Sequence, residues 1–134
     1  MKVVVDTNVI VSAMLTKGGL CHRLVKQVLE HEHWHISPEV FDEYKEVLTR
    51  SEMGFATQDV LDLLDQILMC ALQVQPQSAS IKTTDSDDQM FLDLALAVMA
   101  DVLVTGNKKD FPSRASLPFQ ILSPAEYFQK IQKV

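Results

Sequence analysis

Three consecutive valines, Val3-Val4-Val5, are cut off by Asp6-Thr7-Asn8, and no other feature constrains the fold as strongly. A continuous β-branched run is the pattern of a strand buried within a parallel sheet. In open α/β sheets ligands bind just beyond the carboxyl ends of such strands, so Asp6 stands where chemistry would be. An aspartate at this point also serves to cap a helix or turn the chain, and the run alone does not choose between these roles.

The rest of the chain alternates in the same sense. Leu20, Leu24, Val25, Val28 and Leu29 recur at helical spacing, and His33 to Ile36 follow as a short strand with Trp34 in the core. Ser37-Pro38 opens a second helix, with Ser as N-cap and an apolar stripe of Val40, Phe41, Tyr44, Val47 and Leu48. A third helix runs from about Thr57 to Cys70 with Val60, Leu61, Leu64, Ile67 and Leu68 inward, and Leu72 to Val74 offers another strand. Pro76 to Ser86 is polar and aperiodic, the longest loop. Ser86 and Gln89 are then spaced as a capping box, and the following helix carries Phe91, Leu94, Ala95 and Val98 to about Ala100. Val102 to Thr105 and Phe119 to Leu122 are the last strands, and Ser123-Pro124-Ala125-Glu126 is a second capping box opening a final helix. Such alternation implies one domain over 1–134, a three-layer α/β/α sandwich with a mostly parallel central sheet.

Composition narrows the function. The 134 residues suffice for one real core, and 47% hydrophobic with 22% charged residues describe an ordinary globular chain. A net charge of −6 argues against coating nucleic acid by sheer basicity, yet leaves room for a nuclease whose acidic site is neutralised by metal. Cys21 and Cys70 lack metal-ligand spacing and read as reduced core thiols of a cytoplasmic protein. The apolar run before Asp6 is too short for a signal peptide, and no later run approaches the roughly 20 residues of a membrane span.

Polar residues at strand ends and helix starts converge on one sheet edge, which would hold Asp6, Asn8, Asp87, Asp88, Thr105, Asn107 and Asp110. At about 100° per residue, Glu43 lies about 60° from Val40 on the side of Val47, while Glu39, Asp42 and Glu46 project away from the stripe. Asp87 and Asp88 both project inward in the later helix, and Asp93 outward; periodicity does not separate Asp87 from Asp88. Carboxylates that share a buried site must protonate or bind a cation. With few His or Cys nearby, hard oxygen ligands favour Mg²⁺ or Mn²⁺ over zinc.

Four segments together resemble the PIN domain: Val3 to Ala13, Ser37 to Leu48, Asp85 to Ala95 and Val102 to Phe111. More narrowly, they resemble the bacterial and archaeal PIN proteins that act as toxins of toxin–antitoxin pairs, and the resemblance covers nearly the whole chain. It implies that Asp6 and Glu43 are the first two metal-site acids. The family's third acid precedes an alanine of its helix by seven residues, which selects Asp88 by counting to Ala95. At the fourth position this sequence departs, with neutral Asn107 where many relatives carry Asp. Asp110, three residues on, is the other acid of that loop and could complete the site.

The implied chemistry is hydrolysis of single-stranded RNA, in which a carboxylate-held Mg²⁺ or Mn²⁺ activates water and relieves charge on the transition state. Asn8 and Thr105 would orient the carboxylates, with Asn107 completing or orienting the shell, and Ser12 would belong to a turn. Contacts to RNA would come from Arg23, Lys108 and Lys109, with Lys17, His22, Lys26 and Arg114 as further candidates. A small antitoxin protein is the implied partner, and a homodimer is compatible. His31, His33 and His35 are not read as ligands. Two rivals stand beside this reading. The loss of charge at Asn107 would suit a catalytically degenerate binding module. A haloacid dehalogenase-like phosphatase also begins with an apolar strand and Asp-x-Asp, but Asn8 cannot act as its general acid and base.

Overall fold

The computed structural model describes residues 1–77, 88–112 and 117–132. Five strands form one sheet in the order β3-β2-β1-β4-β5, with β1 Lys2–Val5, β2 His33–Ile36, β3 Leu72–Gln73, β4 Val102–Val104 and β5 Gln120–Leu122. Every pairing is parallel. The valine run occupies the middle strand, in register with β4 through Val3↔Val102, Val4↔Leu103 and Val5↔Val104. Neighbours on both edges and helices on both faces leave Val3, Val4 and Val5 with no exposed surface, which is why the run lacks polar alternation.

Among the described residues there are six α-helices: α1 Thr7–Leu15, α2 Leu20–His31, α3 Pro38–Leu48, α4 Thr57–Cys70, α5 Gln89–Ala97 and α6 Pro124–Gln132. Ser37 Oγ accepts from the Val40 N–H at 3.1 Å with Pro38 next to it, the cap expected at the start of α3. At α6 the capping box closes in both directions. Ser123 Oγ accepts from the Glu126 N–H at 3.2 Å, and Glu126 Oε1 accepts from the Ser123 N–H at 2.8 Å. These bonds and the Lys108 ammonium hold the Glu126 carboxyl down at about 2.

Four sequence expectations need correction. Residues 7–15 are helical, so Ser12 lies within α1 and not in a turn. The β-branched run Val9-Ile10-Val11 continues the strand pattern in sequence, while Thr7, Val9, Ile10 and Ala13 form the buried face. In α4, Val60, Leu64 and Ile67 are buried, but Leu61 and Leu68 are 47% and 42% exposed. That helix packs mainly against α2 and α3, which leaves it a narrow inward stripe. Cys70 is exposed and is no core thiol, while Cys21 is half-buried and packs against the core; both are free. Asp93 is half-buried and accepts from Gln89 Nε2 at 2.8 Å. Gln89 is therefore engaged along its own helix, and Ser86, the other half of the expected capping box, lies outside the described residues. So do Asp87, Arg114 and most of the Pro76 to Ser86 loop.

The end of α5 carries the one left-handed non-glycine residue among those described, Met99, at φ 54° and 78% exposed. Its side chain gains little from packing and keeps the steric cost of a Cβ in that region, about 1–2 kcal/mol. Met99→Gly is expected to raise unfolding stability by roughly 0.5–1 kcal/mol after glycine's own entropic cost, whereas Met99→Ala, which keeps the Cβ, gains nothing. Chemical denaturation of the two variants beside the parent measures this directly.

Candidate metal and nuclease site

In a parallel sheet ordered 3-2-1-4-5, the chain leaves β1 toward β2 on one side and reaches β4 on the other, so a crevice opens beyond the carboxyl ends of β1 and β4. Asp6 follows β1 and Thr105 follows β4. The parallel ladder carries on past the strands, with the Asp6 N–H donating to Val104 O at 2.9 Å. The two side chains meet across the crevice, Thr105 Oγ1 donating to Asp6 Oδ2 at 2.8 Å. Asp6 occupies the N-cap position of α1 with extended backbone but makes no side-chain cap bond. The capping role open at the level of sequence is therefore not the one its carboxylate takes.

Asp6 is 4% exposed and Thr105 wholly buried. Burial pushes the Asp6 carboxyl above its ordinary range, the Thr105 hydroxyl and the nearby N–H groups of Thr7 and Asn8 pull it back, and the charge of Glu43 adds to the upward push. Asn8 reaches the same oxygen, Nδ2 to Oδ2 at 3.3 Å, while its Oδ1 accepts from the Gly106 N–H at 3.0 Å. Asn8 thus ties the start of α1 to the loop after β4. The Asn107 N–H donates to Thr105 Oγ1 at 3.1 Å and its Nδ2 to Asp110 Oδ2 at 2.7 Å. A continuous path of hydrogen bonds runs from Asp110 through Asn107 and Thr105 to Asp6.

Glu43 arrives from α3. Its half-buried position, with Glu39, Asp42 and Glu46 exposed, follows the helical projection around the buried stripe. Thr7 Oγ1 donates to Glu43 Oε2 at 3.0 Å, bonding the residue after Asp6 to the second acid. Thr7 was not singled out by the sequence; its place directly after the strand-end aspartate is the only signal of it. Tyr44, read as one member of an apolar stripe, has no exposed surface, and its hydroxyl donates to the carbonyl of Val5. A tyrosine in a buried stripe needs a partner for its O–H, which is a signal that periodicity ignores. Burial keeps that phenol protonated far above its usual range.

Asp88 is half-buried at the N-cap of α5. Lys108 Nζ donates to Glu126 Oε1 at 2.9 Å, the Arg23 guanidinium lies 5.9 Å from the centre of the Phe128 ring, and Lys109 is exposed. Among the described residues no three Asp, Glu, His or Cys side chains come close enough together to hold a metal ion. Mg²⁺ demands less than such a cage, since it keeps several waters and binds through one or two carboxylates. The buried Asp6 and its neighbour Glu43, each oriented by hydroxyl donors, fit that requirement. Hydrogen bonds offset only part of the burial of Asp6, so its charge costs stability in the metal-free protein.

A PIN-domain family model matches residues 2–109. No curated protein matches the sequence. Among solved structures, a chain of VapBC2 from Rickettsia felis, crystallised bound to a DNA fragment from their promoter, superposes with a TM-score of 0.63 at 16% identity, covering 92% of this chain and 98% of that one. A chain of VapBC-1 from nontypeable Haemophilus influenzae gives 0.61 at 18% identity, covering 93% and 99%. At these identities the likeness is one of fold. No helix among the described residues is long and apolar enough to cross a membrane.

The raised Asp6 carboxyl sets the sign of a pH effect. The folded state binds this proton more tightly than the unfolded state, so the penalty is absent below the ordinary value of 3.8 and grows as pH rises through the folded value. In EDTA, Asp6→Asn is expected to unfold at a higher temperature than the parent at pH 7, with the difference shrinking below pH 4. A parent that is as stable as the variant at pH 7 would show that the carboxylate is not penalised.

Proposed function

The chain belongs to the PIN-domain family, and from that premise we propose that it is a Mg²⁺- or Mn²⁺-dependent endoribonuclease acting on single-stranded RNA, the toxin of a toxin–antitoxin pair. The observation that carries the reading is the buried Asp6 beside Glu43 at the crevice between β1 and β4, where the acid's desolvation is unrelieved by any basic partner the structure describes. Asp6 and Glu43 hold the ion, while Asp88 acts from the start of α5 and Asp110 through the hydrogen-bonded path of Asn107 and Thr105, without binding the ion directly. When bound, the ion supplies an activated water and neutralises charge developing on the phosphodiester. Thr105 and Asn8 fix the Asp6 carboxylate from one side, and Thr7 fixes Glu43 from the other. Asn107 passes the orientation on to Asp110. Arg23, Lys108 and Lys109 approach the RNA phosphates, Lys109 from an exposed position. The two structural neighbours are chains of VapBC assemblies, which supports a small antitoxin protein as partner; a homodimer belongs to the same reading.

A second reading has its own observation. Asn107 removes one negative charge from the loop and spends its amide on Asp110, as a degenerate site kept only for binding would allow. One set of measurements separates the two. Mn²⁺ at about 100 times its dissociation constant should raise unfolding stability by about 2.7 kcal/mol in the parent and far less in Asp6→Asn. Single-stranded RNA should be cut by the parent with Mn²⁺ and more than about 100-fold more slowly by Asp6→Asn, because loss of an outer-shell partner alone typically costs about 10 to 100-fold. Asp110→Asn should lower cleavage as well. A parent that is inert on RNA until Asn107→Asp restores activity would establish the binding-module reading instead.

A further inference from the structure

The acids of the proposed nuclease site sit on separate elements, Asp6 after β1, Glu43 on α3 and Asp88 at the start of α5. One side chain touches all of these elements. Tyr44 directly follows Glu43 on α3, and its hydroxyl donates to the carbonyl of Val5, the residue directly before Asp6. Its ring lies 6.4 Å from Phe91 of α5, three residues beyond Asp88, and packs edge-on against Trp34 of β2 at 6.2 Å. Tyr44, Trp34 and Phe91 have no exposed surface, so the ring has little room to shift.

We propose that Tyr44 is a positioning residue that sets the separation of Asp6 and Glu43, and through Phe91 the approach of α5, so that the site holds its ion. The inference rests on the nuclease reading above and adds a residue that makes no contact with ion or substrate. A directional bond ties the tip of the buried Tyr44 ring to the Val5 backbone, and both acids lie one residue away from its two partners. Thr7 cannot replace it, because its hydroxyl reaches the flexible end of Glu43, whereas Tyr44 registers the helix itself against the strand.

The opposite end of β1 supplies a control. Tyr127 of α6 is also wholly buried, and its hydroxyl donates at 2.8 Å to Glu32, which pairs with the Met1 ammonium at 2.9 Å. Tyr44→Phe and Tyr127→Phe each delete one buried hydroxyl and keep the ring, so a general loss of stability appears in both. Mn²⁺ binding is titrated by electron paramagnetic resonance well below each variant's unfolding temperature, with RNA cleavage measured in parallel. Tyr44→Phe is expected to raise the Mn²⁺ dissociation constant about 10 to 100-fold and to lower kcat with KM for RNA unchanged, while Tyr127→Phe stays within about twofold of the parent. Equal Mn²⁺ affinity in Tyr44→Phe and parent overturns the proposal, as does equal weakening in both variants. A parent that binds no Mn²⁺ overturns the nuclease reading and this inference with it. A parent that binds Mn²⁺ without cutting RNA overturns only the nuclease reading, and the titration still decides the role of Tyr44.

Discussion

A carboxylate with almost no access to water sits at the middle of this molecule, and the surrounding structure is organised around keeping it there. Asp6 is carried to its place by a strand whose three valines are sealed on every side. A group so desolvated would neutralise itself or unfold its surroundings unless donors reach it. Thr105 and Asn8 supply them, and the first N–H groups of α1 lie near enough to favour the charge. These donors arrive from both sides of the crevice because the sheet reverses its order at β1, so topology and electrostatics meet at one residue.

The layers around the site differ in how far they follow from local rules. The start of α3 and the capping box of α6 are set by neighbours in sequence. The meeting of Asp6 with Thr105 spans nearly a hundred residues and is set by the sheet alone. Such long-range contacts between polar groups are the ones that a low-dielectric setting strengthens, and they make the arrangement cooperative: an error in the register of β4 misplaces Thr105, Gly106 and Asn107 together.

That division explains what could be read in the amino-acid sequence. The parallel sheet was legible, because continuous apolar strands and capped helices alternate, and the inward lean of Glu43 followed from helix geometry alone. Helix α1 was not legible as a helix, since Val9-Ile10-Val11 has the composition of a strand and becomes helical only through the packing of its buried face. Leu61 and Leu68 looked like core because periodicity counts apolar residues without knowing how wide the covering surface is. Cys70 fails for the same reason at the exposed end of α4. Thr7 and Tyr44 escaped because their contribution is a hydrogen bond to a group that is remote in sequence, and no pattern within a helix reports one.

Asn107 and Asp110 show a further consequence. The amide of Asn107 donates to the carboxylate of Asp110 at 2.7 Å, an interaction that an aspartate at position 107 could make only by holding a proton or sharing a cation. The two side chains are therefore coupled through one hydrogen bond. Asn107→Asp in this chain would set two carboxylates face to face unless one held a proton or a cation lay between them.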